Sequence, residues 1–209
     1  MLTITNYIKQ YPGTAGPVLV INELTAEKGI YWIKGENGSG KTSLFKSVAG
    51  LIPFKGEIAV NGIDIIKKRM EYTSLVNYAE AEPLYPAFLS GKDLINFYTN
   101  TKGANFPTDL FNNLGVEKFM HQKTAVYSSG MMKKLSLVLA FIGSARWILL
   151  DEPLITIDAN AVEVVCGMIR ESCHKGVSFI ITSHQLLHAS QLAFSGTMVA
   201  DNKTINISA

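Results

Sequence analysis

Two rhythms of apolar and polar residues run along the chain. Residues 2–8 and 18–21 alternate closely enough to predict strands. Residues 30–34, Ile-Tyr-Trp-Ile-Lys, form a short apolar strand that runs straight into Gly-Glu-Asn-Gly-Ser-Gly-Lys-Thr at 35–42. Residues 43–49 read as a helix closed by Gly50. Asn61-Gly62 sits between two apolar runs within 55–66, a strong hairpin signal. Residues 72–78 predict another strand.

From about residue 80 to 127 the character changes. Pro83, Pro86, Pro107, Gly91, Gly103 and Gly115 punctuate short helical patterns, which predicts a small helical lobe inserted into a sheet-based core. Residues 128–145 read as one helix. Residues 147–150 are an apolar strand ending in Asp151-Glu152-Pro153. Val164, Val165, Met168 and Ile169 recur at helical spacing, so 160–174 is a helix. Residues 177–182 predict a buried strand with a short helix after it, and 197–207 a hairpin turning at Asp201-Asn202. Strands that alternate with helices imply an α/β fold with a mostly parallel sheet.

Composition narrows the class. The chain has 209 residues, 47% apolar and 17% charged, which is globular composition. Its 19 basic and 17 acidic residues give a net charge of +2, which supplies no reason to expect a nucleic-acid partner. The runs Lys67-Lys68-Arg69 and Lys133-Lys134 read as solvated helix faces. The longest stretch without charged residues, 177–200, is interrupted by Ser, Thr, His and Gln, so no membrane span is expected. The first residues lack the basic and apolar regions of a signal peptide. Cys166 and Cys173 on one helix would lie roughly 10 Å apart, too far for a disulfide. These features point to a reduced, cytoplasmic protein.

The chemistry concentrates at three strand ends. Residues 35–42 fit G-x-x-x-x-G-K-[ST], and they sit between an expected strand and an expected helix. A triphosphate packs several negative charges into a compact group. Glycines let backbone N–H groups close around it, and the following helix adds the positive end of its dipole. Lys41 supplies a mobile charge for the phosphates, and Thr42 a hydroxyl for Mg²⁺. Asp151 at the end of a buried strand can hold that ion or its water, and Glu152 can polarise a water toward the γ-phosphate. Two adjacent acids can equally form a solvated turn, and the phosphate loop decides between the readings. His184, just after Ser-Phe-Ile-Ile-Thr-Ser, is a third strand-end group able to orient that water. His121, His174 and His188 have no such placement.

With these residues in view, the sequence resembles the ATP-binding cassette (ABC) ATPases, the motor subunits of membrane transporters. The resemblance covers nearly the whole chain. Gly-Glu-Asn-Gly-Ser-Gly-Lys-Thr is similar to the Walker A loop, and Trp-Ile-Leu-Leu-Asp-Glu-Pro to the Walker B strand. Residues 154–158 stand where the D-loop ends in Leu-Asp, here Ile157-Asp158, and Ile-Ile-Thr-Ser-His matches the switch-histidine segment. The signature Leu-Ser-Gly-Gly-Gln is altered to Tyr127-Ser128-Ser129-Gly130-Met131. The resemblance implies a P-loop NTPase core, an antiparallel β subdomain and a helical subdomain at about 80–135, all in one nucleotide-binding domain over 1–209. It implies ATP and Mg²⁺ as ligands. Tyr11 would stack on adenine, and Gly35, Glu36, Asn37, Gly38, Ser39, Gly40, Lys41, Thr42 and Ser43 would hold the phosphates. Thr42, Asp151 and Glu80 would be metal donors, Glu80 standing where the family's Q-loop glutamine is expected. Glu152 would be the general base, with Lys41 and His184 beside it. Ser128, Gly130 and Asp158 would serve a site shared between two subunits, in a homodimer or a heterodimer.

The stretches Ser-Ser-Gly-Met-Met-Lys-Lys-Leu and Ala-Glu-Ala-Glu-Pro-Leu-Tyr-Pro resemble an exporter-like branch. The expected role is therefore to power export through a separate integral membrane permease, held at the inner face of the cell membrane. That subunit would dock on the Glu80 region and 87–98, where Leu84, Tyr85, Phe88, Leu89, Ile95 and Phe97 cluster, although these residues can equally pack the lobe itself. The rival readings are a soluble ABC ATPase of repair, translation or cofactor assembly, and a small P-loop kinase. The first class usually carries coiled-coil arms or two cassettes, and the second an arginine-rich lid. This chain has only Arg69, Arg146 and Arg170.

Overall fold

The computed structural model describes residues 1–103, 105–183 and 192–208. The chain opens with β1 (Leu2–Lys9), β2 (Leu19–Ala26) and β3 (Ile30–Lys34), then α1 (Lys41–Val48), β4 (Lys55–Val60) and β5 (Ile63–Asp64). α2 (Arg69–Leu75) and β6 (Val76–Ala79) lead into α3 (Gly91–Lys102), α4 (Thr108–Asn113) and α5 (Ser129–Ala140). β7 (Trp147–Leu150), α6 (Ala159–His174), β8 (Ser178–Thr182), β9 (Gly196–Asp201) and β10 (Thr204–Ser208) complete the described elements.

Among the described residues, six strands form one sheet in the order β10-β9-β3-β8-β7-β6. Every pair in it is parallel except β9 with β10. A second, antiparallel sheet has the order β2-β1-β4-β5. The two meet where Val20 N donates to Lys203 O at 2.7 Å.

The apolar runs of β3, β7 and β8 have a simple cause. Side chains alternate across a strand, and both faces of this sheet are covered. Tyr31, Ile33, Trp147, Leu149 and Ile180 join a core shared with α1 and the antiparallel sheet. Ile30, Trp32, Ile148, Leu150, Phe179 and Ile181 join the opposite core, with α5, α6 and the helices of the 91–126 region. Ser90 starts that region with a capping box, accepting from Asp93 N at 3.2 Å while Asp93 accepts from Ser90 N at 2.9 Å.

Three boundaries differ from expectation. Residues 69–75 are helix, so the strand expected from Tyr72 begins only at Val76. Tertiary packing wins over β propensity there. Tyr72 is fully buried against α1, and its hydroxyl donates to Val48 O at 2.9 Å. The helix expected over 128–145 stops at Ala140, because Asn77 Nδ2 takes the carbonyls of Ala140 and Ile142 at 2.8 and 2.9 Å. The last hairpin turns at Asn202-Lys203, one residue later than expected, with both residues at positive φ. The Asn61-Gly62 turn stands as predicted, with Val60 opposite Ile63. Both cysteines are free, and no described helix is long and apolar enough to cross a membrane.

Asn77 generates a stability prediction. Asn77→Leu leaves two buried carbonyls without their donor, and we expect it to lower the unfolding free energy by about 1–3 kcal/mol in urea titration.

Candidate active site

The strand β3 ends at Lys34, and the glycine-rich loop turns directly into α1. Gly40 caps that helix with φ 96°, a left-handed conformation that side chains disfavour. The turn brings Lys41 inward. Its Nζ donates to Gly35 O and Glu36 O at 2.7 and 2.8 Å. The loop is thus wrapped around its own cation. Burial lowers the Lys41 pKa, and the charges of Glu152 and Asp151 partly restore it.

The acid tip meets this loop directly. Thr42 Oγ1 donates to Asp151 Oδ2 at 2.8 Å. Asp151 is only 2% exposed and has further donors, Thr182 Oγ1 to Oδ1 at 2.6 Å and Tyr78 OH to Oδ2 at 3.3 Å. Burial and the nearby carboxylates push the Tyr78 phenol well up, which keeps it a donor. Glu152 N donates to Thr182 Oγ1 at 2.9 Å, so Thr182 receives one acid's backbone and holds the other's carboxylate. Glu152 itself adopts φ 47°. A left-handed non-glycine residue costs roughly 1–2 kcal/mol, which the buried contacts around it must offset.

Tyr11, Asn37, Gly38, Ser39, Gly40, Lys41, Thr42, Ser43, Asp151 and Glu152 all line one cleft of about 400 Å³, with Val18 and Ala81. Tyr11 OH bonds Ser43 Oγ at 3.0 Å, and Lys9 Nζ lies 4.3 Å from its ring centre. Gly35 and Glu36 contribute carbonyls to the Lys41 cage beside the cleft. The hydroxyl of Thr42 and the carboxylate of Asp151 are hard oxygen donors in contact, a set that suits a small divalent cation.

Some expected residues stand elsewhere. Glu80 is absent from that cleft. Its carboxylate pairs with Lys46 at 3.5 Å and lines the neighbouring groove, while Ala81 faces the phosphate loop. Ser128, Gly130 and Asp158 form a separate cluster. Ser128 caps α5 by accepting from Met131 N at 3.2 Å. Asp158 caps α6 and takes Lys134 Nζ at 2.9 Å. A Cβ on Gly130 would lie 2.9 Å from Thr156 O, and Thr156 is itself left-handed at φ 68°. His184 lies outside the described residues. The segment leading to it is tied down by Trp32 Nε1, which donates to Ser183 O at 3.3 Å.

Sequence reasoning missed Thr182, Tyr78 and Lys133. Thr182 had a signal, a hydroxyl ending an apolar strand. Lys133 had none. It is 2% exposed, not solvated, and donates to Glu80 O at 2.9 Å, to Ala81 O and to Asp151 O at 3.4 Å. Burial brings its pKa down to about 8, against the pull of Asp151, Glu152 and Glu82.

A phosphate loop and a buried acid pair at the rim of a parallel sheet define a P-loop nucleoside-triphosphatase. The profile of the ABC transporter family matches residues 22–155. The uncharacterised ABC transporter ATP-binding protein YybJ of Bacillus subtilis is 32% identical, over 88% of this chain and 85% of its own. The cytochrome c biogenesis ATP-binding export protein CcmA of Mannheimia succiniciproducens is 31% identical, over 77% of each chain. The dimeric ATP-binding cassette MJ0796, in a post-hydrolysis state with ADP and Pi, superposes with a TM-score of 0.82 over 100% of this chain and 98% of that one, at 16% identity. The chain belongs to the ABC transporter family, as an ATP-binding ATPase domain.

Gly130 generates the prediction here. Gly130→Ala drives a Cβ into the Thr156 carbonyl, which is backbone and cannot rotate away. We expect a loss of about 1–3 kcal/mol in urea titration, with no change in the structure of the phosphate loop as judged by its amide exchange.

Proposed function

We propose that this chain is one nucleotide-binding domain over 1–209, with 80–135 as its helical subdomain, and that it hydrolyses ATP to power export through a separate membrane subunit. The carrying observation is the Thr42–Asp151 hydrogen bond, which joins the phosphate loop to the acid tip. Lys41 exchanges its two carbonyl partners for phosphate oxygens when nucleotide enters. Tyr11 stacks on the base, and the N–H groups of 37–43 orient the phosphates. Thr42 and Asp151 would hold Mg²⁺, which when bound neutralises charge on the phosphate oxygens. Tyr78 and Thr182 keep the Asp151 carboxylate aimed. Glu152 accepts the proton of the attacking water, and His184 orients the closed geometry.

Ser128, Gly130 and Asp158 stand outside this cleft, which supports a role at the cleft of a second ABC subunit, identical or related. The helix dipole behind Ser128 then meets the γ-phosphate from the far side. Hydrolysis and phosphate release remove the bridging charge and let the pair open. The dimeric neighbour supports this reading.

A groove of about 440 Å³ beside the site supports docking of a membrane helix and location on the inner face of the membrane. Glu80, Tyr85 and Tyr98 line it, and Leu84 and Phe97 stand at its rim, 91% and 62% exposed. The exporter-like stretches and the export-named relative support the direction.

Two experiments test the reading. Glu152→Gln is expected to bind ATP, to lose about 10²–10⁴-fold in hydrolysis rate and to accumulate as a dimer in size-exclusion chromatography; normal turnover would remove Glu152 as the base. Free phosphate is the expected product, whereas a phosphorylated small molecule would mean a kinase. Leu84→Asp with Phe97→Asp should abolish co-purification with a membrane subunit from solubilised membranes and leave ATP affinity unchanged. Recovery of soluble partners only would favour the non-transport reading.

A further inference from the structure

We propose that Lys133 is a positioning residue that ties the wall of the phosphate cleft to the helix carrying Ser128, so that the two move as one body. The proposal rests on the ATP site proposed above. Lys133 lies in the second turn of α5, and its ammonium reaches carbonyls of two separate segments. Glu80 O and Ala81 O belong to the loop after β6, and Asp151 O to the acid tip after β7. Both segments border the cleft directly, through Ala81 and through Asp151 itself. The next residue, Lys134, grips Asp158 at the start of α6. One helical turn therefore holds the cleft's loop, its acid tip and the cap of α6, while Ser128 caps the start of the same helix, outside the cleft lining.

The chemistry suits a coupling role. A buried ammonium is tolerated only where several acceptors replace its water, and here those acceptors are backbone carbonyls whose positions set the cleft. Moving α5 away from the acid tip would strand the cation. Loop, tip and α5 must therefore shift together or lose these bonds together. A purely structural lysine would also satisfy carbonyls, and the chain supplies one for comparison. Lys102 Nζ donates to Thr73 O and Val76 O at 2.5 and 3.3 Å, and these carbonyls do not border the phosphate cleft.

The test compares Lys133→Met with Lys102→Met, each removing an ammonium that donates to two or more backbone carbonyls without changing bulk greatly. We expect both to lower the melting temperature. Lys133→Met alone should cut kcat for ATP by about tenfold or more while KM stays within about threefold, and Lys133→Gln, which keeps a donor, should recover part of kcat. Equal kcat for the two methionine variants, or a change in KM alone, would overturn the proposal.

A measurement on the wild-type chain covers the case in which the variants fail to fold. On adding ATP with Mg²⁺, hydrogen exchange is expected to slow in the phosphate-loop peptide, and at the same nucleotide concentration in peptides over 79–86 and 128–136. No protection of the phosphate loop would sink the ATP reading itself. Protection of the loop and of 79–86 without 128–136 would leave that reading standing and refute the coupling through Lys133.

Discussion

A single carboxylate organises the nucleotide site. Asp151 receives hydroxyls from Thr42, Tyr78 and Thr182, which come from the phosphate-loop helix and from β6 and β8, the strands on either side of β7. A buried anion is costly unless donors replace its hydration. The saturation of Asp151 therefore does two things. It makes the charge tolerable, and it fixes the relative position of α1, β6, β7 and β8. Loss of any one donor would loosen the rest, since the three share two oxygens.

Most of the scaffold was legible because core parallel strands must be apolar on both faces. Residues 30–33, 147–150 and 178–182 announce themselves that way, and the glycine-rich run between 35 and 40 announces the turn. The errors have local causes. Tyr72 has a strand former's side chain but packs from a helix, because α1 offers it a carbonyl and a pocket. The helix expected to reach residue 145 stops at Ala140, because Asn77, 63 residues earlier, takes the Ala140 carbonyl.

Lys133 shows the deeper limit. Beside Lys134 it has the look of a solvated pair, yet one lysine is buried and its neighbour reaches an ion-pair partner. The carbonyls that make burial possible come from loops about 50 and 18 residues away. Sequence reasoning can recognise a group by its type, as with Lys41, Asp151 and Ser128, but not by the company that distant backbone keeps. Thr182 lies between these cases, since a hydroxyl at the end of an apolar strand asks for a partner without naming it.

The strand order has a consequence for biosynthesis. β3 launches the phosphate loop, and its lateral neighbours are β8 and β9, which begin at residues 178 and 196. Until residue 178 has been made, β3 has no neighbour in the sheet to join, although its glycine-rich loop is already synthesised. Such distant pairing is slow and leaves apolar edges open to wrong partners. The phosphate loop therefore gains its rigid base only once the strands that begin at 178 and 196 have been made.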